Sequence, residues 1–517
     1  MNIVVLVSDA MRARNLGCYG YDKDTSPWMD RIAAEGVRFS HAFSAINSTD
    51  PSFTTMFTGK HPVSHGLRNH AKWVTALEKS YMTGLRFLPE ILHDKGFVTI
   101  GLDWLGKWHR KGYDYYGGLK NDPATIVRPD SGAGDALQAS CEPPCRKSSG
   151  RDWKKRLPKL SLMPSRGNWY YALGDGARRA VRGYFRRRQE RSGKGLSGRK
   201  RRPMLSDASG LTDLAVDSIR QFAGEQSFFL FVHYWDTHIP YTAPRSLVRH
   251  FLNNYRYPGT PTADILAKVA GTKAEHLVHK ATRGKTPGTI GEIMALYDAS
   301  IRYVDENVGR IYACLEESGV LDDTLLVITA DHGESMTEHD IYFDHHGLYD
   351  PQIRVPLIMR HGDIRGGAVH DEFVQHFDLA PTILDMAGVS DDGARFDGQS
   401  LMDLVRGGSW DRPYVFAEEM CGQQKRMIRD RRFKYIAALN DEPCVLCRRY
   451  HCRTDEFYDL VNDPGESRNI IDDPRHVEYK RQLEAYIEGL VKPQAGESVV
   501  FADEDEVNKR LEALGYI

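Results

Sequence analysis

Long hydrophobic runs are missing from this chain. In 517 residues no stretch approaches the roughly 20 consecutive apolar residues that a membrane-spanning helix needs. Cysteine is scarce: 8 residues do not make the dense framework of a disulfide-stapled fold. An excess of one charge is also missing. Lys and Arg number 69 against 70 Asp and Glu, so the molecule as a whole has no pull toward polyanions. Nothing at the start resembles a targeting segment. The run Ile3-Val4-Val5-Leu6-Val7 has no basic stretch before it and no small-residue cleavage site after it, and it reads as a strand. These absences set the expectation of a soluble, cytoplasmic protein. What is present is ordinary for a globular chain: 41% apolar, 10% aromatic and 27% charged residues. The length exceeds what one core usually holds, which predicts one large domain and one smaller one.

Short apolar runs alternate with helical patterns. The first strand leads to a helical stretch near Ser26–Glu35, and Leu88 onward reads as a helix before the strand Thr99-Ile100-Gly101. Leu211–Phe222 is amphipathic, and the continuous run Phe228–His233 follows it. A long helix near Ile290–Ser318 precedes the buried strand Leu325–Thr329. Strands without polar alternation, separated by helices, predict an α/β fold: a mostly parallel sheet covered on both faces. Such sheets gather their sites at the carboxyl ends of the strands. From about Ala394 the pattern weakens into pieces such as Tyr414–Phe416 and Phe433–Ile436, with a terminal helix near Val477–Leu490. Residues 1–393 are therefore read as the large domain, and 394–517 as a smaller one built on an antiparallel sheet.

Two segments stand apart. Residues 146–202 carry about 20 Lys/Arg against 3 acidic residues. This basic insertion reads either as a solvated excursion or as a docking surface for an anionic substrate or membrane. No dedicated nucleic-acid module accompanies it. Cys444, Cys447 and Cys452 cluster beside His451; they read as incidental thiols, a redox pair or an incomplete zinc site.

The residues able to do chemistry follow the apolar runs. Asp9 comes after the first strand, and Asp331-His332-Gly333-Glu334 after Leu325–Thr329. Carboxylates and an imidazole at neighbouring strand ends can share one divalent cation. Thr49-Asp50-Pro51-Ser52 opens a helical stretch that ends at Thr58-Gly59. A hydroxyl there gains from the helix dipole, and beside a cation it becomes a usable nucleophile. Gly106-Lys107-Trp108-His109 and Asp236-Thr237-His238 add cations and a candidate general acid. His345-His346-Gly347 follows the Asp-His pair by a short loop.

In their order and spacing these pieces resemble the sulfatase family of the alkaline phosphatase superfamily. The resemblance runs through Asp9, Leu16-Gly17-Cys18-Tyr19-Gly20, Glu35-Gly36-Val37-Arg38-Phe39, Thr58-Gly59-Lys60-His61-Pro62, Gly106–His109, Thr329–Glu334 and Arg354-Val355-Pro356-Leu357. It continues into Tyr458-Asp459-Leu460. It implies an alkaline-phosphatase-like sheet flanked by helices and a metal-dependent hydrolase or transferase. Sulfatases carry Cys or Ser in a C-x-P-S-R motif, and that residue becomes formylglycine. Here the aligned residues are Thr49, Asp50, Pro51, Ser52 and Phe53, and Thr cannot yield that aldehyde. Ala10 follows Asp9 where the family has a second acid, and His345 stands where the family has Lys.

These departures resemble the superfamily's Thr-nucleophile phosphodiesterases and phosphotransferases. That likeness implies a metal held by Asp9, Thr49, Asp331 and His332, with Thr49 as nucleophile and His238 as general acid. Lys107, His109 and Asn69 would hold oxygens of the transferring group, with His345 and His346 also beside the substrate. Asn69 read alone is a loop residue bonding its own surroundings. A second metal would draw on Asp236, His238, His345 and His346. A mixed O/N donor set suits Mn or Zn better than Ca. The expected substrate is a small-molecule, lipid or glycan phosphodiester or a phosphonate monoester. Two other readings stay open: a sulfatase working without formylglycine, favoured by Lys107 and His109, and a catalytically silent binding protein. Oligomeric state is not legible in the sequence.

Overall fold

The computed structural model describes residues 1–103, 105–117, 207–281, 287–390, 393–420, 422–440, 442 and 455–490. The basic insertion and the Cys444–Cys452 cluster lie outside the described residues.

The apolar runs become the middle of a nine-stranded sheet. In chain order its strands are β1 (Asn2–Ser8), β2 (Val37–Phe43), β3 (Val98–Leu102), β4 (Tyr115–Gly117), β5 (Phe228–Tyr234), β6 (Thr324–Thr329), β7 (Arg354–Val355), β8 (Leu357–Arg360) and β9 (Ala368–Gln375). They are ordered β4-β3-β5-β1-β6-β8-β2-β7, with β9 beside β2. From β4 to β6 all neighbours are parallel. Every residue of β1, β5 and β6 is buried. A strand covered on both faces has no solvent side to make polar, which is why these three show no alternation. The far side is mixed: β8 runs antiparallel to β6, and β2 runs antiparallel to β7 and β8 but parallel to β9. That reversal was not expected from the sequence, because β7 and β8 are too short for a period to register.

Helices expected near Ser26, Leu88, Leu211 and Ile290 form over Pro27–Glu35, Leu88–Asp94, Ala208–Phe222 and Ile290–Glu317. The last is 28 residues long and buries Ile293, Ile301, Val304, Val308 and Ile311 along one stripe. This is the 3.6-residue periodicity of a helix lying on a core.

A second sheet is antiparallel, in the order β10 (Val415–Glu419), β11 (Lys425–Arg429), β12 (Phe433–Ala438) and β13 (Glu456–Asp459). One of its faces shares an apolar cluster with the large sheet: Val415, Met427, Ile436 and Tyr458 meet Phe43, Leu348, Ile353 and Phe373. The other face carries the helix His476–Leu490 through Phe433, Tyr435, Phe457 and Leu483. Charges also join the two sheets. Lys434, fully buried, reaches Asp350 at 2.7 Å and pairs with Glu466, while Arg429 holds Asp350 at 2.7 Å. Among the described residues no helix is long and apolar enough to cross a membrane.

Candidate active site

Pairing of β1 with β5 and β6 in parallel register puts Leu6 beside Val232 and Ile328. Three strand ends therefore arrive together, and each delivers a ligand-type side chain. Asp9 follows β1, His233 is the penultimate residue of β5, and Asp331 lies two residues past β6. Among the described residues they form the one group of three whose candidate donor atoms all lie within 4.8 Å of one another, and all three are buried.

The turn after β1 is held under strain. Ala10 has φ +57°, a left-handed conformation that costs an L residue roughly 1–2 kcal/mol. Its N–H donates to Asp331 Oδ1 at 3.1 Å, and Tyr297 donates its hydroxyl to the Ala10 carbonyl at 2.8 Å. Thr237 donates to the Asp9 carbonyl at 2.6 Å. The Asp331 carboxylate and the backbone of Asp9 are thus fixed from behind. In front, both oxygens of Asp9 and Oδ2 of Asp331 are buried without a hydrogen-bond partner. Burial pushes both carboxyls up. The nearby His238, His233 and His332 outweigh burial for Asp9 and hold it well below the usual carboxylate range. For Asp331 the neighbouring charge of Asp9 adds to burial, and its carboxyl is raised.

Both imidazoles present a defined nitrogen. His332 Nδ1 lies 2.8 Å from the Gly333 carbonyl, which fixes its proton there and leaves Nε2 facing inward. Nε2 is 3.4 Å from Asp331 Oδ2, 3.8 Å from Asp9 Oδ1 and 3.4 Å from Thr49 Oγ1. His233 Nδ1 lies 2.9 Å from Asp103 Oδ1, and its Nε2 lies 3.4 Å from Asp9 Oδ2. Burial would lower the His233 ring, but Asp103 and Asp9 raise it to about 9. A carboxylate behind an imidazole whose other nitrogen faces two acids is the usual support of a metal-binding histidine. Buried carboxylate oxygens without a close hydrogen bond, facing two inward ring nitrogens at 3.4 Å, fit a divalent cation.

Thr49 is the first residue of the helix Thr49–Thr58, where unsatisfied N–H groups and the dipole favour negative charge. Ser52, one turn on, donates to the Asp331 carbonyl at 2.7 Å and ties this helix to the ligand turn. Phe53 packs edge-on over His233 at 4.6 Å between ring centres and against His109 at 6.0 Å.

The remaining predicted residues divide. His238 and His345 come to the site, with ring centres 6.4 Å apart, and His345 stacks 4.3 Å from His332. His238 Nδ1 lies 2.7 Å from the Ile239 carbonyl and His345 Nδ1 lies 2.5 Å from the Asn47 carbonyl, so each ring turns its Nε2 elsewhere. Burial lowers His238 to about 4. Lys107 and His109 are present but engaged with Asp50, at 2.9 and 3.0 Å. Asn69 does not face the site: its N–H and its amide both donate to Glu78 Oε1, at 2.9 and 3.0 Å. Burial and, less strongly, the charge of Asp236 push the Tyr234 phenol up. His346 lies 3.2 Å from Asp344. Among the described residues, Asp236, His238, His345 and His346 do not form a group of ligand atoms within 4.8 Å of one another, as Asp9, His233 and Asp331 do. His233, Asp103 and His70 were missed by sequence reasoning. His233 sits inside an apolar run, and that interruption was the available signal.

A family model described as Sulfatase matches residues 1–389. This chain belongs to the sulfatase family. A second model, for the C-terminal region of N-sulphoglucosamine sulphohydrolase, matches residues 337–493. Similar curated proteins include an uncharacterised sulfatase of Escherichia coli, 24% identical over 93% of this chain and 85% of its own length. An N-acetylglucosamine-6-O-sulfatase of Bacteroides thetaiotaomicron is 23% identical over 97% and 89%. The phosphonate monoester hydrolase of Silicibacter pomeroyi shares the fold, with TM-score 0.65 at 19% identity over 96% of each chain. The chain is a sulfatase-family hydrolase acting on ester bonds.

Proposed function

We propose that this family member cleaves phosphate esters, namely phosphodiesters or phosphonate monoesters, with Thr49 as the covalent nucleophile. The carrying observation is the threonine hydroxyl 3.4 Å from His332 Nε2, at a helix N-terminus beside unpartnered carboxylates. A side chain with a β-methyl cannot be oxidised to the formylglycine aldehyde, so the covalent step falls to the hydroxyl itself.

Asp9, Asp331, His332, His233 and Thr49 would hold a divalent cation, and the mixed O/N set favours Mn or Zn over Ca. Bound there, the cation would supply Lewis-acid stabilisation of charge on the transferring group. Thr49 gives up its proton and attacks phosphorus in line, the bond to the leaving oxygen breaks, and the group rests on Thr49 Oγ1. Water, or an acceptor alcohol, then takes the group from Thr49. His238, lowered to about 4, is neutral at neutral pH. A ring lowered that far is a weak base but, once it has taken up the proton from Thr49 or the incoming water, a strong acid that would pass it to the leaving oxygen. The substrate would be a small-molecule, lipid or glycan ester.

The sulfatase reading has its own support in Lys107 and His109 and in the named activity of the Bacteroides relative. The test is turnover of bis-p-nitrophenyl phosphate, p-nitrophenyl phosphate and p-nitrophenyl sulfate by Mn- or Zn-loaded protein, alongside measured metal content. Preference for the diester supports the proposal, and preference for the sulfate replaces it. Protein that purifies without metal and turns over none of the three points to a silent binding protein.

A further inference from the structure

The residue after the nucleophile is a buried acid. The Asp50 side chain is 0% exposed, yet it is surrounded by donors. Oδ2 takes the Lys107 ammonium at 2.9 Å, the Ala71 N–H at 2.7 Å and lies 3.1 Å from His70 Nδ1; Oδ1 lies 3.0 Å from His109 Nε2. Burial alone would push this carboxyl up, but His109 and His70 hold it well below the usual carboxylate range.

His109 cannot leave. Its side chain is 1% exposed, its Nε2 is on Asp50, and the Phe53 ring lies edge-on beside it. Lys107 is half-exposed and set by a left-handed turn, with Gly106 at φ +62° and Lys107 at φ +54°. A non-glycine residue keeps that conformation only where its surroundings over-determine it. The two cations that would meet an oxygen of the transferring group are thus turned onto an acid carried by the nucleophile's own helix. Asp50 and Lys107 carry opposite charges, 2.9 Å apart, that cancel in this wall.

We infer that Asp50 is a specificity-determining residue: it cancels the Lys107 charge and fits this wall to an organic substituent of the ester in place of a third charged oxygen. The inference rests on the phosphodiester and phosphonate reading above and deepens it. A sulfate ester shares one negative charge, and a phosphate monoester up to two, over three peripheral oxygens, and the third of these is best met by a net cation. A phosphodiester or phosphonate monoester presents two such oxygens, with carbon or an ester oxygen at the third position. A neutral wall accepts that group and leaves a third charged oxygen uncompensated.

The test compares wild type, Asp50→Asn and Asp50→Asn/Lys107→Ala, each loaded with metal. Asn keeps the shape and the contacts to Ala71 and Lys107 while removing the charge. Two readouts are taken: calorimetric affinity for inorganic sulfate, and the ratio of kcat/KM for p-nitrophenyl sulfate to that for bis-p-nitrophenyl phosphate. Uncovering a partly screened unit charge should tighten sulfate binding at least about tenfold and raise the ratio by a similar factor. Adding Lys107→Ala should reverse both. Unchanged or weaker sulfate binding in folded Asp50→Asn overturns the inference. If no substrate is turned over, the phosphodiesterase reading fails while sulfate affinity still decides the role of Asp50. Should Asp50→Asn not fold, Lys107→Met in the wild-type background takes its place. It leaves Asp50 uncompensated and should weaken sulfate binding about tenfold; unaltered affinity overturns the inference.

Discussion

Thr49 and His332 show how much a single side chain can carry in this site. Thr49→Ala is expected to lower turnover by more than about a thousandfold while metal content stays near wild type, because Asp9, Asp331, His332 and His233 would still hold the cation. Full activity in that variant would remove the nucleophile assignment. His332→Ala removes an inward nitrogen that lies 3.4 Å from both Thr49 and Asp331, and metal content after dialysis should fall sharply. His233 gives a pH signature. In chelated protein its folded-state value of about 9 exceeds the ordinary 6.5. The stability it contributes is therefore fully present below about pH 6.5 and is lost as pH rises through about 9, roughly 3 kcal/mol at most. The melting temperature of chelated protein between pH 6 and 10 checks the slope, and His233→Gln should flatten it. Asp9, Thr49, Asp331 and His332, each following an apolar run or opening a helix, come together in the structure as their order along the chain led one to expect. Side-chain direction was not legible. Lys107 and His109 read as free cations until their pairing with Asp50 was seen, and spacing along a chain carries no such information.

Elements decide which loops are rigid. The Asp331-His332-Gly333 turn lies against the short helix Asp350–Ile353: Gly333 donates to the Gln352 carbonyl at 2.7 Å, and a Cβ at Gly333 would lie 2.0 Å from the Pro351 carbonyl oxygen. Gly333→Ala must move one of the two backbones. It should destabilise by about 2 kcal/mol or more and weaken metal affinity together, as a melt and a metal titration on the same sample would show. A variant of unchanged affinity would mean that the turn yields without disturbing its ligands. The helices and central strands were readable because their periods are long and unmixed, as in Ile290–Glu317 and Phe228–Tyr234. The antiparallel half of the large sheet was not: two residues of β7 and four of β8 fix no pattern, and their pairing depends on β2, more than 300 residues away.

For the whole molecule, the joint between the two sheets is partly ionic. Lys434 is buried between Asp350 and Glu466, and Arg429 shares Asp350. Removing one partner of a buried network leaves charge uncompensated, so Lys434→Met should cost about 3–5 kcal/mol. Chemical denaturation would register this as a lower midpoint, and an unchanged midpoint would show that the apolar cluster around Met427 and Ile436 holds the joint alone.

The central position of β1 also has a cost in time. Its partner β6 pairs with it from 322 residues further along, as the contact between Asn2 and Thr324 shows. At ordinary rates of translation that separation is on the order of tens of seconds. Through that interval a strand with no polar face waits beside an open edge, the state most prone to pair with another chain. A ribosome making this protein therefore holds an apolar strand short of one partner for most of synthesis, and the yield of folded enzyme should depend on whatever shields nascent chains.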